Sequence, residues 1–379
     1  MMVKFKRMNI FSFFTGIGFL DLGFETEGYK ILFVNEFIPS FLNAYHYSRK
    51  KMKFSDPEFG EYLGSVVDLL HGEPKEKLTK LIGCAKKKKE IFGFIAGPPC
   101  PDFSVAGKNK GKEGERGKLT GTYIDLICEQ NPDFFLFENV KGLWKTKRHR
   151  EFYEEVKSKT HSHGYVTTEK LINAIDFGAP QDRQRILLLG FKRDLLKKLG
   201  YKISVSQSTL PDGIFPWEHA TKYTSSAVFK LSWPDRVPYK ADSVIPKPKQ
   251  VPEELTVQFW FEKNDVNNHP NAKHCFRPKA GLAKFKIVDE GDVTRKSYKR
   301  LHRWRYSPTA AYGNNEVHLH PYKTRRITVA ESLAIQSLPK NFELPDDMTL
   351  SDMFKTVGNG VPYIAAKGIA KTIKYFLKQ

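Results

Sequence analysis

Over the first 190 positions, apolar residues fall in short unbroken runs separated by amphipathic stretches. Ile10–Phe14 reads as a buried strand and Thr15–Gly18 as a tight loop. Phe19–Glu27 follows as a helix stopped by Gly28, then Ile31–Val34 as the next strand. Phe92–Ala96, Phe134–Phe137 and Ile186–Phe191 are further runs of strand length, with helical stretches at Gly121–Glu129 and Glu151–Thr160. Strands alternating with helices predict an α/β fold around a mostly parallel sheet.

From residue 192 to 320 the pattern changes. Helical periodicity fades and prolines cluster at 211, 216, 234, 238, 246, 248 and 252. This stretch predicts a separate, irregular domain. Regular character returns at Thr328–Ser337 and in a closing helix, Tyr363–Leu377. The expected plan is residues 1–191 as the first part of a large domain, 192–320 as a smaller inserted domain, and 321–379 completing the large one.

Charge sharpens this picture. The chain of 379 residues carries 62 Lys and Arg against 42 Asp and Glu, a formal net charge of +20. Residues 192–320 hold 23 basic and 13 acidic residues, half of that excess. Such a balance points to a polyanionic partner. The apolar content of 40% excludes a mainly disordered chain. Four scattered cysteines (84, 100, 128, 275) without a CxxC pair argue against a disulfide scaffold and against a zinc site, so no metal is expected. No apolar stretch is long enough to span a membrane. The run after Lys4, Lys6 and Arg7 is broken by Ser12, Thr15, Gly16 and Gly18 and lacks a cleavage site. A cytoplasmic, nucleoid-associated protein is therefore expected.

Four motifs carry candidate chemistry. Phe14-Thr15-Gly16-Ile17-Gly18 ends the first strand, where glycines let the backbone approach a ligand. Position 21 is Asp, so the full dinucleotide fingerprint is absent; a ligand-free turn is the competing reading. Glu36, 18 residues after Gly18, stands where such folds place a ribose-binding acid. Gly97-Pro98-Pro99-Cys100-Pro101 follows another strand. Prolines stiffen the backbone around the thiol, and the basic residues at 108, 110, 112, 116 and 118 favour its thiolate; an inert buried cysteine is the alternative. Glu138 closes the apolar run from Phe134, where desolvation favours a carboxyl that donates a proton or hydrogen bond; a salt-bridged or capping Glu is the alternative. Gln181, Arg183 and Arg185 alternate on one face of an extended segment, and two guanidinium groups there can grip carboxylates or phosphates. A solvated strand start is the other reading.

Taken together with Val357-Gly358-Asn359-Gly360-Val361-Pro362, this series resembles, in order and spacing, the DNA (cytosine-5) methyltransferases of bacterial restriction-modification systems. Arg325-Arg326-Ile327-Thr328-x-x-Glu331 adds a weaker match. The resemblance spans nearly the whole chain and is least specific over 192–320. It implies a Rossmann-like S-adenosylmethionine-dependent methyltransferase fold, with residues 192–320 as a target-recognition domain. Cys100 would be the nucleophile, Glu138 would engage the ring nitrogen and amine of cytosine, Arg185 its carbonyl, and Arg183 the surrounding geometry. Phe14, Gly16, Ile17, Gly18, Glu36, Pro99, Asn359 and Val361 would hold the cofactor, with Ser65 or Asp68 facing its adenine. Ser104, Arg116, Gln181, Arg295, Lys299, Arg300, Arg303, Arg305 and Thr309 would contact DNA. The loop from Ser104 to Lys118 would be a lid over a flipped-out base.

The basic stretch Thr294–Arg305, with six Lys and Arg and no acid, is interleaved with Tyr298, His302 and Trp304. It is expected to touch phosphates and base edges. The implied partners are double-stranded DNA and a separately acting cognate endonuclease, with no membrane and a monomeric chain.

The chain departs from the family pattern at Ser12, where an acid is common, and at Ser65, which replaces an acid. Pro101 stands in place of Gln, and Ala330 in place of Arg. An RNA cytosine-5 methyltransferase and a non-catalytic DNA-binding protein are the alternatives. The long basic insert argues against the first, and the intact Cys100, Glu138, Arg183 and Arg185 against the second.

Overall fold

The structure is a computed structural model that describes residues 8–99, 115–278, 281–295, 297–310, 312 and 316–378, without the side chains of 115, 116 and 148. Cys100, Ser104 and most of the 104–118 loop lie outside the described residues, as does the Arg116 side chain.

Along the chain run β1 (Met8–Phe13), α1 (Phe19–Thr26), β2 (Lys30–Glu36), α2 (Pro39–Met52), β3 (Glu61–Leu63), α3 (Gly72–Lys87) and β4 (Ile91–Ala96). Next come α4 (Glu115–Gln130), β5 (Phe134–Val140), α5 (Lys141–Lys145), α6 (Lys147–Ser162), β6 (Tyr165–Asn173) and β7 (Gln184–Lys192). The seven strands form one sheet in the order β3-β2-β1-β4-β5-β7-β6. Neighbours from β3 to β5 pair in parallel, and β7 runs antiparallel to both β5 and β6. Strand order reverses between β1 and β4, so their carboxyl ends open a crevice of the kind that receives ligands in such sheets.

Both faces of the sheet are covered, which is why its strands read as unbroken apolar runs. Successive residues take opposite sides: Ile10, Ile95 and Leu136 face one layer, while Phe11, Phe94 and Phe135 face the other. Strands β2, β5 and β7 are each three residues longer than the sequence pattern indicates. β5 continues through Glu138, Asn139 and Val140, which pair with Leu187, Ile186 and Arg185 of β7. Polar residues survive there because the antiparallel partner satisfies their backbone.

Beyond β7 lie α7 (Arg193–Lys198), α8 (Ser225–Val228), α9 (Val257–Lys263), α10 (Leu282–Phe285), α11 (Val329–Ile335), α12 (Leu350–Asn359) and α13 (Tyr363–Leu377). The stretch 192–320 is irregular, as its prolines indicate, yet it shares cores with the rest. Leu210 and Phe215 join the sheet's core, where Phe376 of α13 meets Phe191, Tyr201 and Phe215 at 4.7–5.1 Å between ring centroids. Trp260, Phe261, Leu301 and Val317 pack with α11 and α12. Among the described residues no helix is long and apolar enough to cross a membrane.

The irregular lobe is held largely by buried arginines. Arg300, fully buried, donates to the carbonyls of Val288, Phe285, His320 and Lys323 and lies over the Tyr239 ring at 3.7 Å. Arg303 grips the Glu290 carboxylate at 2.8 and 2.7 Å and also bonds Ser243. His302 and His318 are buried nearby, and burial pushes them down to about 4 and about 3 from the usual 6.5.

Replacing Phe376 by Ala should cost about 3–5 kcal/mol in urea unfolding, because three aromatic partners lose their contact. His302 and His318 contribute a pH dependence. Their folded pKa values are depressed, so their contribution is complete above about pH 6.5 and is lost as the pH falls, because the unfolded chain takes up protons first. The unfolding free energy should drop by about 1 kcal/mol per pH unit for each histidine between pH 6.5 and 4; a flat profile in urea titrations would contradict this burial.

Candidate active site

The loop after β1 winds tightly: Phe14, Gly16 and Gly18 have φ of 53°, 57° and 79°. Its amide at Gly16 donates to Glu36 Oε2 at 2.7 Å. The other oxygen of Glu36 accepts from the amides of Phe37 and Ile38, each at 2.9 Å. Burial pushes the Glu36 carboxyl above its usual range and the three amides pull it back. One carboxylate thus shapes both the β1 loop and the entry to α2, and Oε2 keeps capacity for another donor. Beneath this loop, Asp21 of α1 is fully buried and accepts from Ser12 Oγ at 2.7 Å and Thr15 Oγ1 at 2.6 Å. Burial raises its pKa against the pull of Arg49 and the two hydroxyls. The acid missing from position 12 of the strand is therefore supplied by the helix.

Ile17 points into the core beside α12, so only its backbone faces the site. Val361 is buried as well, whereas Asn359 is exposed. At the end of β3, Asp68 folds back: its Oδ2 accepts from the Ser65 amide and from Tyr62 Oη, both at 3.1 Å. The Ser65 hydroxyl accepts from Val67 N at 3.2 Å. Phe37, next to Glu36, exposes 68% of its surface. A Phe immediately after the strand-end acid was the available signal for it, and sequence reasoning passed it over.

Across the crevice, β4 leads into Gly97, Pro98 and Pro99, the last described residue before Cys100. A Cβ at Gly97 would lie 2.9 Å from Glu138 Oε2, so only glycine lets this carboxylate sit against the turn. Glu138 Oε1 pairs with Arg185 Nε at 2.8 Å. The expected desolvated acid is therefore one half of a largely buried ion pair. The Asn139 Nδ2, buried beside it, has no partner among the described residues.

Arg183 is 1% exposed and donates to the carbonyls of Ala310, Gly358 and Asn359 at 3.0–3.1 Å. Burial, with Arg185 nearby, pushes its guanidinium well below arginine's usual pKa. Gln181, also buried, accepts from Ala310 N and donates to Gln336, which in turn donates to the carbonyls of Val357 and Gly360. The two residues thus fasten the 357–361 segment to the strand, and the carboxylate gripped from this face is Glu138, by Arg185.

These positions correct part of the expected DNA-contact set. Gln181, Arg300 and Arg303 are buried and spend their hydrogen bonds inside the protein. Thr309 donates its hydroxyl to Asp182 O, and Arg305 bonds Pro234 O. His302 and Trp304 are buried too. Arg295 is exposed and Lys299 partly so.

A family model described as C-5 cytosine-specific DNA methylase matches residues 8–375. The chain belongs to the C-5 cytosine-specific DNA methylases. Type II methyltransferase M.NmeDI of Neisseria meningitidis serogroup C is 55% identical over 379 residues, covering 98% of this chain and 85% of that protein. M.FnuDI of Fusobacterium nucleatum is 28% identical, covering 97% and 94%. Among solved structures, an E. coli prophage chain described as a candidate DNA modification methyltransferase superposes with a TM-score of 0.64 at 22% identity, covering 98% and 100%. The S. pombe Dnmt2 methyltransferase does so with 0.58 at 13%, covering 98% of each chain. At these identities the structures speak for the shared fold.

Of this cytosine-5 DNA methylase's departures from the family pattern, Ser12 and Ala330 are buried, and Pro101 lies outside the described residues. Ala330 is buried in α11, and Arg325 forms a bidentate pair with Glu331 at 2.7 and 2.8 Å. Glu331 also closes a capping box with Thr328. In this methylase, Arg183→Lys keeps a charge but cannot span three carbonyls. It should lower stability by about 3 kcal/mol in urea unfolding.

Proposed function

We propose that this methylase modifies one cytosine within a specific duplex DNA sequence, using S-adenosylmethionine and a covalent Cys100 adduct. It would be the modification half of a Type II restriction-modification system, working as a monomer in the cytoplasm beside a separate endonuclease. The observation that carries the mechanism is the Glu138–Arg185 pair seated against Gly97, three residues from Cys100.

Carbon 5 of cytosine is a weak nucleophile. The Cys100 thiolate adds to carbon 6, breaking the ring's aromaticity and making carbon 5 electron-rich. Glu138 faces ring nitrogen 3 and the exocyclic amine, and Arg185 brings positive charge to the side where addition pushes electrons. After carbon 5 has accepted the methyl group, its proton leaves to a base and the sulfur–carbon 6 bond breaks. The target base is out of reach inside a duplex, so it is turned out into this crevice.

The residues at the ends of β1, β2 and β3 suit the cofactor. Glu36 retains an acceptor site for a ribose hydroxyl, and Phe37 offers a bare ring face for an adenine. Asp68, with Oδ2 committed to Ser65 and Tyr62, offers Oδ1 to the adenine amine and is favoured over Ser65. Bound S-adenosylmethionine supplies the electrophilic methyl carbon.

Purified protein should transfer labelled methyl groups to duplex DNA, and Cys100→Ser should abolish transfer. DNA carrying 5-fluorocytosine at the target should form a covalent adduct, because fluorine blocks the final elimination. Glu138→Gln should lower kcat by about 10²–10³-fold. Transfer to tRNA but not to duplex DNA would replace this reading with the RNA-acting one.

A further inference from the structure

Once the buried arginines are set aside, two half-exposed ones remain around a single acid. Asp292 has only 6% of its side chain exposed, while Arg236 and Arg295 expose 54% and 50%. Asp292 Oδ1 accepts from Thr294 Oγ1 at 2.7 Å and from Thr294 N at 3.2 Å, and lies 3.5 Å from Arg236 Nη1. Asp292 Oδ2 accepts from Arg295 Nε at 3.0 Å.

The turn carrying Asp292 is rigidly framed. Glu290 and Val237 exchange both backbone hydrogen bonds at 3.0 and 3.1 Å, and Arg303 clamps the Glu290 carboxylate from within. Gly291 turns the chain at φ 91°, and Arg300 N donates to Asp292 O at 2.9 Å.

We propose that Arg295 reads a guanine of the recognition sequence in the major groove, with Asp292 as its positioning residue. The assignment rests on the reading of residues 192–320 as the target-recognition lobe. A buried carboxylate costs desolvation, which donors must offset. Here two of those donors are arginines that project into solvent. Arg295 is held through Nε alone, and among the described residues its two Nη groups have no protein partner. That leaves a planar fork, already oriented, facing outward. Guanine presents two acceptors, O6 and N7, at the spacing of that fork, whereas adenine sets a donor beside N7. An arginine pinned in this way loses less freedom on binding than a free one. A phosphate can accept from the same fork, and the two partners differ in that only the base contact carries sequence information.

The test is a randomised site library, scored both by methylation (bisulfite sequencing) and by retention on the enzyme, so that slow turnover does not hide preference. Arg295→Ala should lose about 10- to 100-fold discrimination at one G·C position and leave the others alone. Arg295→Lys should recover DNA affinity but not that discrimination. Asp292→Asn should weaken preference at the same position. S-adenosylmethionine affinity reports folding of each variant, and Arg295→Lys carries the test if Arg295→Ala misfolds. An equal loss on every sequence, with the salt slope reduced by about one, would make Arg295 a phosphate contact and overturn the proposal. Unchanged preference would overturn it as well, while methylation of DNA would leave the enzyme reading standing.

Discussion

Arg183 stands where three stretches of chain, far apart in sequence, must meet. Its guanidinium reaches one carbonyl in the irregular lobe and two more at the end of α12, while its own backbone leads into β7. A buried charge with no carboxylate bonded to it is tolerable only when several carbonyl dipoles converge on it. Two residues further on, within β7, Arg185 reaches the other way and holds Glu138. One short piece of chain thus ties the Glu138 carboxyl to the segment around Gly358 and Asn359. The geometry of either half depends on the other being in place.

The sheet and its flanking helices were legible in the sequence because burial on both faces leaves unbroken apolar runs. The loop at Gly16, the Pro-Pro turn and the return of α13 followed from short-range chemistry. What could not be read was the direction of polar side chains. β5 runs on through Glu138 because β7 pairs with it, and that partner lies almost fifty residues away. Asp21, whose place in α1 looked like a defect in a fingerprint, is the acid that Ser12 and Thr15 donate to.

The same limit explains the arginines of the irregular lobe. A segment with little regular structure leaves many carbonyls without a ladder partner, and guanidinium groups, with five donors each, satisfy them. Arg300 serves four residues in this way. From sequence, such residues look like a DNA-binding strip. Arg49, Arg183, Arg300, Arg303 and Arg326 are all under 8% exposed. The positive potential offered to a polyanion is therefore smaller, and more localised, than a net charge of +20 suggests.

The acceptors of Arg183 lie 127 to 176 residues downstream of it. During translation, β7 emerges long before the carbonyls that neutralise its arginine exist. A partly made polypeptide cannot complete this cluster before residue 359 has been added. A product cut short before that point leaves a buried guanidinium without two of its three carbonyl acceptors, so the two halves of the crevice become a single all-or-none unit of assembly.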